Sequence, residues 1–198
     1  TLFLGFAASL VPFAYVIAAL WKQDFKEWVA PTLSWSLFAG GILGTGILMG
    51  GAWAYEALSF GGFWAWDPVE NASLVPWIVL LAGIHTLVAY KHSGHALKAT
   101  AILLPLSFLL VLYSTFLTRS GILGDTSVHS FTDLGMSGQL LTFMLAFVFL
   151  TIGLLAYSWN KMPSPKKEEN LSSREFWMFI GSIIMLMLSA LITVDTSW

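Results

Sequence analysis

Cysteine is absent from the sequence. The chain therefore forms no disulfide bond, offers no thiolate ligand to a metal and has no cysteine nucleophile. Structural disulfides and cysteine-based catalysis are excluded as the basis of its function. Any thiol chemistry in which the protein takes part must use the thiols of another molecule.

Charged residues are also scarce, at 10% of the 198 residues, whereas 57% are hydrophobic. So few charges cannot cover the apolar surface as they would in a soluble domain, and the composition indicates a polytopic helical membrane protein. With a formal net charge of −2 and no basic stripe, nothing favours a nucleic-acid partner. No cleavable leader is recognisable and Thr1 already lies in an apolar run, so we expect part of a longer protein.

Six apolar stretches approach the roughly 20 residues that cross a bilayer as a helix. They are residues 1–21, 33–55, 71–90, 99–118, 138–158 and 176–194. Lipid offers no hydrogen-bond partner to the backbone, so these spans must be helices. The prediction is an all-α fold, a polytopic bundle of about six transmembrane helices that forms a single membrane domain over residues 1–198.

Proline and glycine inside the spans predict how these helices pack. Pro12, Pro76 and Pro105 lie within spans, where we expect neighbouring helices to supply the hydrogen bonds that proline removes. The second span is rich in glycine. Such a surface allows a neighbouring backbone or a ligand to come close.

The basic residues predict the orientation in the membrane, because Lys and Arg are retained on the cytoplasmic side. All of them except Arg119 fall in three of the five connections between spans. We therefore expect these three to be cytoplasmic and the other two, together with both chain ends, to face outward. The cytoplasmic connections are 22–32, 91–98 and a solvated linker at 159–175, and the outward ones are 56–70 and 119–137.

The connection after the second span is unlike an ordinary loop. It reads Phe60-Gly61-Gly62-Phe63-Trp64-Ala65-Trp66 and continues as Asp67-Pro68-Val69-Glu70-Asn71. Interfacial aromatic residues usually form a belt scattered around a membrane protein. Here four rings fall within seven residues, beside a Gly-Gly pair that permits close backbone approach. The pattern favours a platform for a large flat ligand, with an interfacial belt as the alternative.

The end of this stretch has the pattern of a helix start. Asp67, Pro68 and Glu70 fit the N-cap, the first helical position and the third position of a capping box, which predicts that the third helix begins at Pro68. In this interpretation the two acids satisfy backbone N–H groups. A direct role in binding a ligand or in catalysis is the alternative.

Two histidines and one arginine are further candidates. His85 lies within the third span, where an ionisable side chain is a functional candidate and a neutral imidazole can serve as an axial ligand of haem iron. A hydrogen bond to a neighbouring helix is the alternative. His129 and Arg119 are expected on the same outer side as the aromatic stretch, His129 as a solvated loop residue or a ligand, and Arg119 as a helix-end charge or a partner of an anion.

Residues 60–77 carry a resemblance to a known family. Their sequence, Phe-Gly-Gly-Phe-Trp-Ala-Trp-Asp-Pro-Val-Glu-Asn-Ala-Ser-Leu-Val-Pro-Trp, resembles the tryptophan-rich WWD signature of the haem-handling proteins of cytochrome c biogenesis. The ending resembles the CcmF/NrfE branch of membrane haem lyases. The CcsA branch usually has Lys and Thr in place of Val69 and Asn71. Two further stretches agree with this family: Ile84-His85, and Leu117-Thr118-Arg119-Ser120-Gly121 leading to Ser127-Val128-His129-Ser130-Phe131.

The resemblance implies a role for each candidate residue. His129 would be the catalytic residue and an iron ligand of the haem being delivered, and His85 an iron ligand of a resident haem b. Each would be paired with a histidine outside this chain. The haem-binding segment, residues 56–77, would hold the delivered haem. Within it and beside it, the contacts would come from Phe60, Gly61, Gly62, Phe63, Trp64, Trp66, Asp67 and Arg119. Phe60 and Phe63 stand where the family often has Trp, which keeps the stacking area but removes an indole N–H donor.

The resemblance also implies a function. It is that of a haem lyase in the bacterial plasma membrane, which holds haem at the outer face for thioether attachment to the Cys-x-x-Cys-His motif of apocytochrome c. The resident haem would act as an electron donor. Partners would be a haem chaperone, thiol proteins that present the apocytochrome, and apocytochrome c itself. The alternatives are a CcsA-type haem exporter or synthetase, a membrane haem carrier without catalysis, and a solute transporter, which would need more ionisable residues deep in its spans.

Overall fold

The computed structural model describes residues 1–57, 62–122, 135–164 and 170–197. Over these residues the chain forms long α-helices and no strand. The helices are α1 (Leu2–Lys22), α2 (Val29–Ala57), α3 (Pro68–Ser93), α4 (Leu97–Arg119), α5 (Ser137–Ser158) and α6 (Arg174–Ser197). All six are long and apolar enough to cross a membrane. The predicted all-α bundle of membrane-spanning helices is confirmed.

Helix α3 extends past its apolar stretch at both ends, because its capping residues determine where it begins and ends. Helix α3 begins after Asp67, whose Oδ1 accepts the N–H of Val69 at 2.9 Å. The Glu70 carboxylate accepts the N–H of Asp67 at 3.3 Å, which completes the predicted capping box. At the other end Gly94 takes a left-handed conformation with φ 77° and donates its N–H to the Tyr90 carbonyl.

Helix α3 occupies the centre of the bundle and packs against α2, α4 and α6. Helix α1 packs against α2, α4 and α5, so that the two groups share α2 and α4. Among the described helices, α2 and α6 both contact α3 but do not contact each other. The largest fully buried side chains of the core include Leu20, Leu43, Leu80, Leu87 and Leu104.

Glycine allows α1 and α2 to approach until their backbones touch. A Cβ added to Gly5 would lie 2.7 Å from the Cα of Leu43, and one added to Gly46 would lie 2.8 Å from the backbone nitrogen of Leu2. Real side chains do not tolerate such distances, so glycine is required at both positions. The close approach expected from the glycine-rich second span is therefore present in the fold.

Helix α4 repairs the hydrogen bond that proline removes from α3. Pro76 has no N–H, so the carbonyl of Ala72, four residues earlier, loses its helical donor. The Ser114 hydroxyl donates to that carbonyl, and the Ser107 hydroxyl donates to the carbonyl of Pro76 at 3.0 Å. A neighbouring helix thus supplies the missing bond, as expected for proline in a membrane span.

Replacing Gly5 with alanine tests the α1–α2 contact. We expect Gly5→Ala to destabilise the protein by about 1–3 kcal/mol, because the added methyl group would collide with the Leu43 backbone. The measurement is the free energy of unfolding in mixed micelles as the fraction of denaturing detergent rises. The control is Gly153→Ala on α5, where an added Cβ meets nothing within 4 Å. Equal stability of the two variants would contradict the close contact.

Candidate functional site: an aromatic cavity between the second and third helices

A cavity of about 600 Å³ lies between α2 and α3, beneath the aromatic segment that joins them. One wall consists of glycine and small residues of α2, and the other walls are aromatic or aliphatic. The lining residues are Gly40, Gly41, Gly44, Thr45, Ile47, Leu48, Phe63, Trp64, Trp66, Leu74 and Trp77. Among the residues that the structure describes, no charged side chain lines it. The cavity volume lies within the range of about 300–1,000 Å³ that small-molecule and cofactor sites occupy.

The segment before α3 places its rings over the end of α2. Phe63 packs directly on Gly51, where an added Cβ would lie 2.5 Å from the Phe63 ring. Trp64 and Trp66 meet edge to face, with ring centroids 6.3 Å apart and an angle of 84° between their planes. Phe63 remains 45% exposed and Trp66 63% exposed. Both rings therefore keep a face available to a ligand.

Trp77 forms the inner wall of the cavity, and our sequence analysis did not select it. Its indole Nε1–H donates to the carbonyl of Gly40 on α2 at 2.9 Å. A Cβ on Gly44 would lie 2.9 Å from the same nitrogen, so the ring fits only because position 44 is glycine. The two glycines four residues apart were visible in the sequence, but their pairing with a tryptophan on the next span was not.

Trp64 carries a polar group that is buried without a partner. Its indole Nε1 is inaccessible to solvent and makes no hydrogen bond within the part of the chain that the structure describes. An N–H in that state carries an energetic penalty unless an acceptor reaches it. A carboxylate or carbonyl of a ligand is one such acceptor.

His85 lies on the same face of α3 as Trp77, because Trp77, Leu81 and His85 recur at four-residue spacing. Eight residues of helix separate Trp77 from His85, which corresponds to about 12 Å along the axis. His85 is half-buried and does not line the aromatic cavity. The structure therefore separates this histidine from the aromatic residues.

The hydrogen bond that the structure gives His85 is to its own helix. Its Nδ1 lies 2.7 Å from the carbonyl oxygen of Leu81. A carbonyl only accepts, so the proton of this bond is on Nδ1. In the neutral ring the lone pair is then on Nε2, which is the arrangement that orients a histidine for binding a metal.

Arg119 lines a second cavity of about 410 Å³, formed by the first turns of α1 and α3 and the last turns of α4, with Val69, Ser73 and Thr118 among its other walls. It does not line the aromatic cavity. A third cavity of about 220 Å³ shares Trp64 with the first cavity and Val69 and Ser73 with the second. The third cavity thus lies between Arg119 and the aromatic cavity.

The remaining predicted site residues fall into two groups. Gly62 is half-buried at the start of the described part of the segment, and Asp67 is the N-cap of α3. Phe60, Gly61 and His129 lie outside the described residues. For those three the roles inferred from the sequence stay predictions.

Comparison with known proteins agrees with the resemblance noted at residues 60–77. Residues 1–123 match the family model described as cytochrome C assembly protein. The cytochrome c-type biogenesis protein CcmF of Pseudomonas aeruginosa is 37% identical, over 98% of this chain and 30% of that protein. The CcmF protein of Escherichia coli is also 37% identical over 98% of this chain and 30% of its own length. The NrfE protein of Haemophilus influenzae is 34% identical, over 98% of this chain and 30% of its own length.

A solved structure has the same arrangement of helices. The protein titled cytochrome c heme lyase CcmF superposes with a TM-score of 0.77 and 33% sequence identity, over 98% of this chain and 29% of that one. This chain therefore spans about 30% of the length of the curated relatives cited here. On the match of the family model and of these relatives, the chain belongs to the cytochrome c assembly protein family.

Proposed function

We propose that this chain is the haem-handling part of a cytochrome c haem lyase, and that haem is held in the aromatic cavity while it is joined to apocytochrome c. The observation that carries the proposal is the cavity of about 600 Å³ walled by Phe63, Trp64, Trp66 and Trp77 against the glycines of α2. Membership of the cytochrome c assembly family supports it.

The residues of the cavity fit the chemistry of haem as a substrate. Its macrocycle is flat and apolar, so the aromatic faces of Phe63, Trp66 and Trp77 stack against it and exclude water. Glycine at positions 40, 41 and 44 lets the macrocycle approach the α2 backbone. The propionate carboxylates of haem are acceptors for the indole N–H of Trp64, which has no other partner among the described residues.

His85 is the residue that we assign to a resident haem b. Among the described residues no three His, Asp or Glu side chains come close enough to hold a metal ion. Haem iron brings most of its ligands with it and is therefore compatible with His85 as a single ligand from these residues. The Leu81 carbonyl holds the ring in the tautomer that leaves Nε2 as the ligand atom. A haem held there by His85 and by a histidine outside this chain would supply one-electron redox chemistry beside the delivered haem.

The remaining parts of the proposal rest on the family and on the sequence. His129 is assigned as the iron ligand of the delivered haem and as the residue required for thioether formation. Because this chain has no cysteine, both thiols belong to apocytochrome c. The asymmetry of basic residues supports an orientation with the aromatic segment outside the bacterial inner membrane. A haem chaperone and thiol proteins that present apocytochrome c are the proposed partners.

Filling the cavity without disturbing the fold tests the proposal directly. Gly41 lines the cavity, and a Cβ added to it meets nothing within 4 Å. We expect Gly41→Leu to weaken haem binding on the order of tenfold or more, because the new side chain occupies the space of the macrocycle. The measurement is a titration of the complete protein with haem in detergent, followed by absorbance in the Soret region. Gly153→Leu, on an open face of α5, is the control, and unchanged affinity in Gly41→Leu would exclude this cavity.

Replacing His85 tests the resident haem. We expect His85→Ala to remove the α-band of a b-type haem from the reduced-minus-oxidised spectrum of the complete protein, since the iron loses a protein ligand. His92→Ala is the matched control, because His92 lies near the end of the same helix and is exposed. A band of equal size in His85→Ala would remove His85 from the ligand assignment.

Replacing His129 distinguishes a lyase from a haem carrier. We expect His129→Ala to abolish thioether formation on apocytochrome c while the b-type absorbance persists, because the two haems are assigned to different histidines. The measurement is covalent haem staining of the cytochrome after denaturing electrophoresis, alongside the spectrum of the membranes. If the unmodified complete protein supports no thioether formation with its partners present, a carrier without catalysis is the better description.

A further inference from the structure

Trp66 has a backbone conformation that a tryptophan rarely adopts. Its φ is 58°, in the left-handed region that disfavours residues with a large side chain. Two other non-glycine residues in the described ranges share this feature, Gln23 and Ala96, and they are the C-cap of α1 and the N-cap of α4. Trp66 is neither, because the N-cap of α3 is Asp67. The conformation of Trp66 therefore needs another cause.

That cause is a set of hydrogen bonds from the first turn of α3. The carboxylate Oε2 of Glu70 accepts the N–H of Ala65 at 2.9 Å and the N–H of Asp67 at 3.3 Å. The side-chain amide of Asn71 donates its Nδ2–H to the carbonyl of Trp66 at 3.1 Å. The peptide group between Trp66 and Asp67 is thus held at both ends, its N–H by Glu70 and its C=O by Asn71.

These bonds go beyond what helix capping requires. A capping box consists of a first-turn N–H bonded to the Asp67 side chain and the N–H of Asp67 bonded to Glu70, whereas the bonds from Ala65 and to the Trp66 carbonyl lie outside it. Asn71 is 5% exposed, and its Oδ1 has no partner among the described residues. Burying the side-chain amide of an asparagine costs free energy unless the amide forms hydrogen bonds. In the structure this amide donates a hydrogen bond to the Trp66 carbonyl.

We propose that Glu70 and Asn71 are positioning residues for haem, acting through Trp66. They hold the Trp66 backbone in its left-handed conformation, and the indole then stands edge to face against Trp64 at the wall of the aromatic cavity. Without them the residue relaxes to negative φ, which turns the side chain away from its place in that wall. A ring held in advance loses less freedom when a ligand stacks on it. The inference rests on the proposed function and names the residues that prepare the site.

The test uses variants of Asn71 and Glu70 in the complete protein. Asn71→Leu keeps the volume but removes the donor to Trp66, and Glu70→Ala removes the acceptor of both amides. Glu70→Gln keeps an oxygen that accepts the same two N–H groups and is the conservative rescue. Thr86→Val, which removes a buried hydroxyl bonded to the Gly83 carbonyl farther along α3, is the control for the loss of a side-chain hydrogen bond.

Two measurements separate positioning from stability. The first is the ¹⁹F NMR resonance of Trp66 in protein labelled with 5-fluorotryptophan, identified with Trp66→Phe and recorded without haem. The second is the haem titration. We expect Asn71→Leu and Glu70→Ala to shift the Trp66 resonance and to weaken haem binding on the order of tenfold. We expect Glu70→Gln and Thr86→Val to change neither, and Asn71→Leu to unfold no more easily than the parent.

The outcomes are distinct. An unchanged Trp66 resonance in Asn71→Leu and Glu70→Ala would overturn the inference, and so would a shifted resonance with unchanged haem affinity. If the parent protein binds no haem saturably, the proposed function itself fails, and the positioning role falls with it. The resonance would then still report whether the two side chains hold Trp66.

Discussion

The first turn of α3 cannot leave its N–H groups unpaired at the edge of a membrane, and much of the site depends on how that requirement is met. Asp67 and Glu70 supply the acceptors. Glu70 also accepts the N–H of Ala65. The carboxylate that caps the helix therefore also fixes the path of the residues before it. The segment that carries the aromatic rings is therefore tied to the most buried helix of the bundle. A loop anchored in that way can present rings in a defined place.

The second requirement is that α2 has glycine at positions where its neighbours place a large group. At three glycines of α2 a large group lies opposite: Phe63 on Gly51, Trp77 on Gly44 and the backbone of α1 on Gly46. The glycine at position 41 has nothing opposite it and opens onto the cavity. The glycines of one helix thus serve both helix packing and the site.

Features set by local sequence were predictable, and features set by the register between distant helices were not. The six spans and the capping box at Asp67 and Glu70 follow from residues close together in the chain. The role of Trp77 depends on its meeting Gly40, 37 residues away, and no local pattern reveals that pairing. Arg119 lines a neighbouring cavity, where its position depends on how α4 packs against α1 and α3, and its contact with the ligand stays a prediction. The orientation in the membrane and the part of His129 stay predictions.

Pro76 divides α3 into two lengths that carry different residues of the candidate site. The length before it carries Asp67, Glu70 and Asn71, and the length after it carries Trp77 and His85. Because the helical bond at Pro76 is missing, the hydroxyls of Ser107 and Ser114 on α4 donate to the carbonyls at the junction of these lengths. Helix α4 lines none of the aromatic cavity. Its hydroxyls nevertheless bind α3 between the aromatic segment and His85. The relative position of the two lengths of α3 thus depends in part on a helix that lies outside the aromatic cavity.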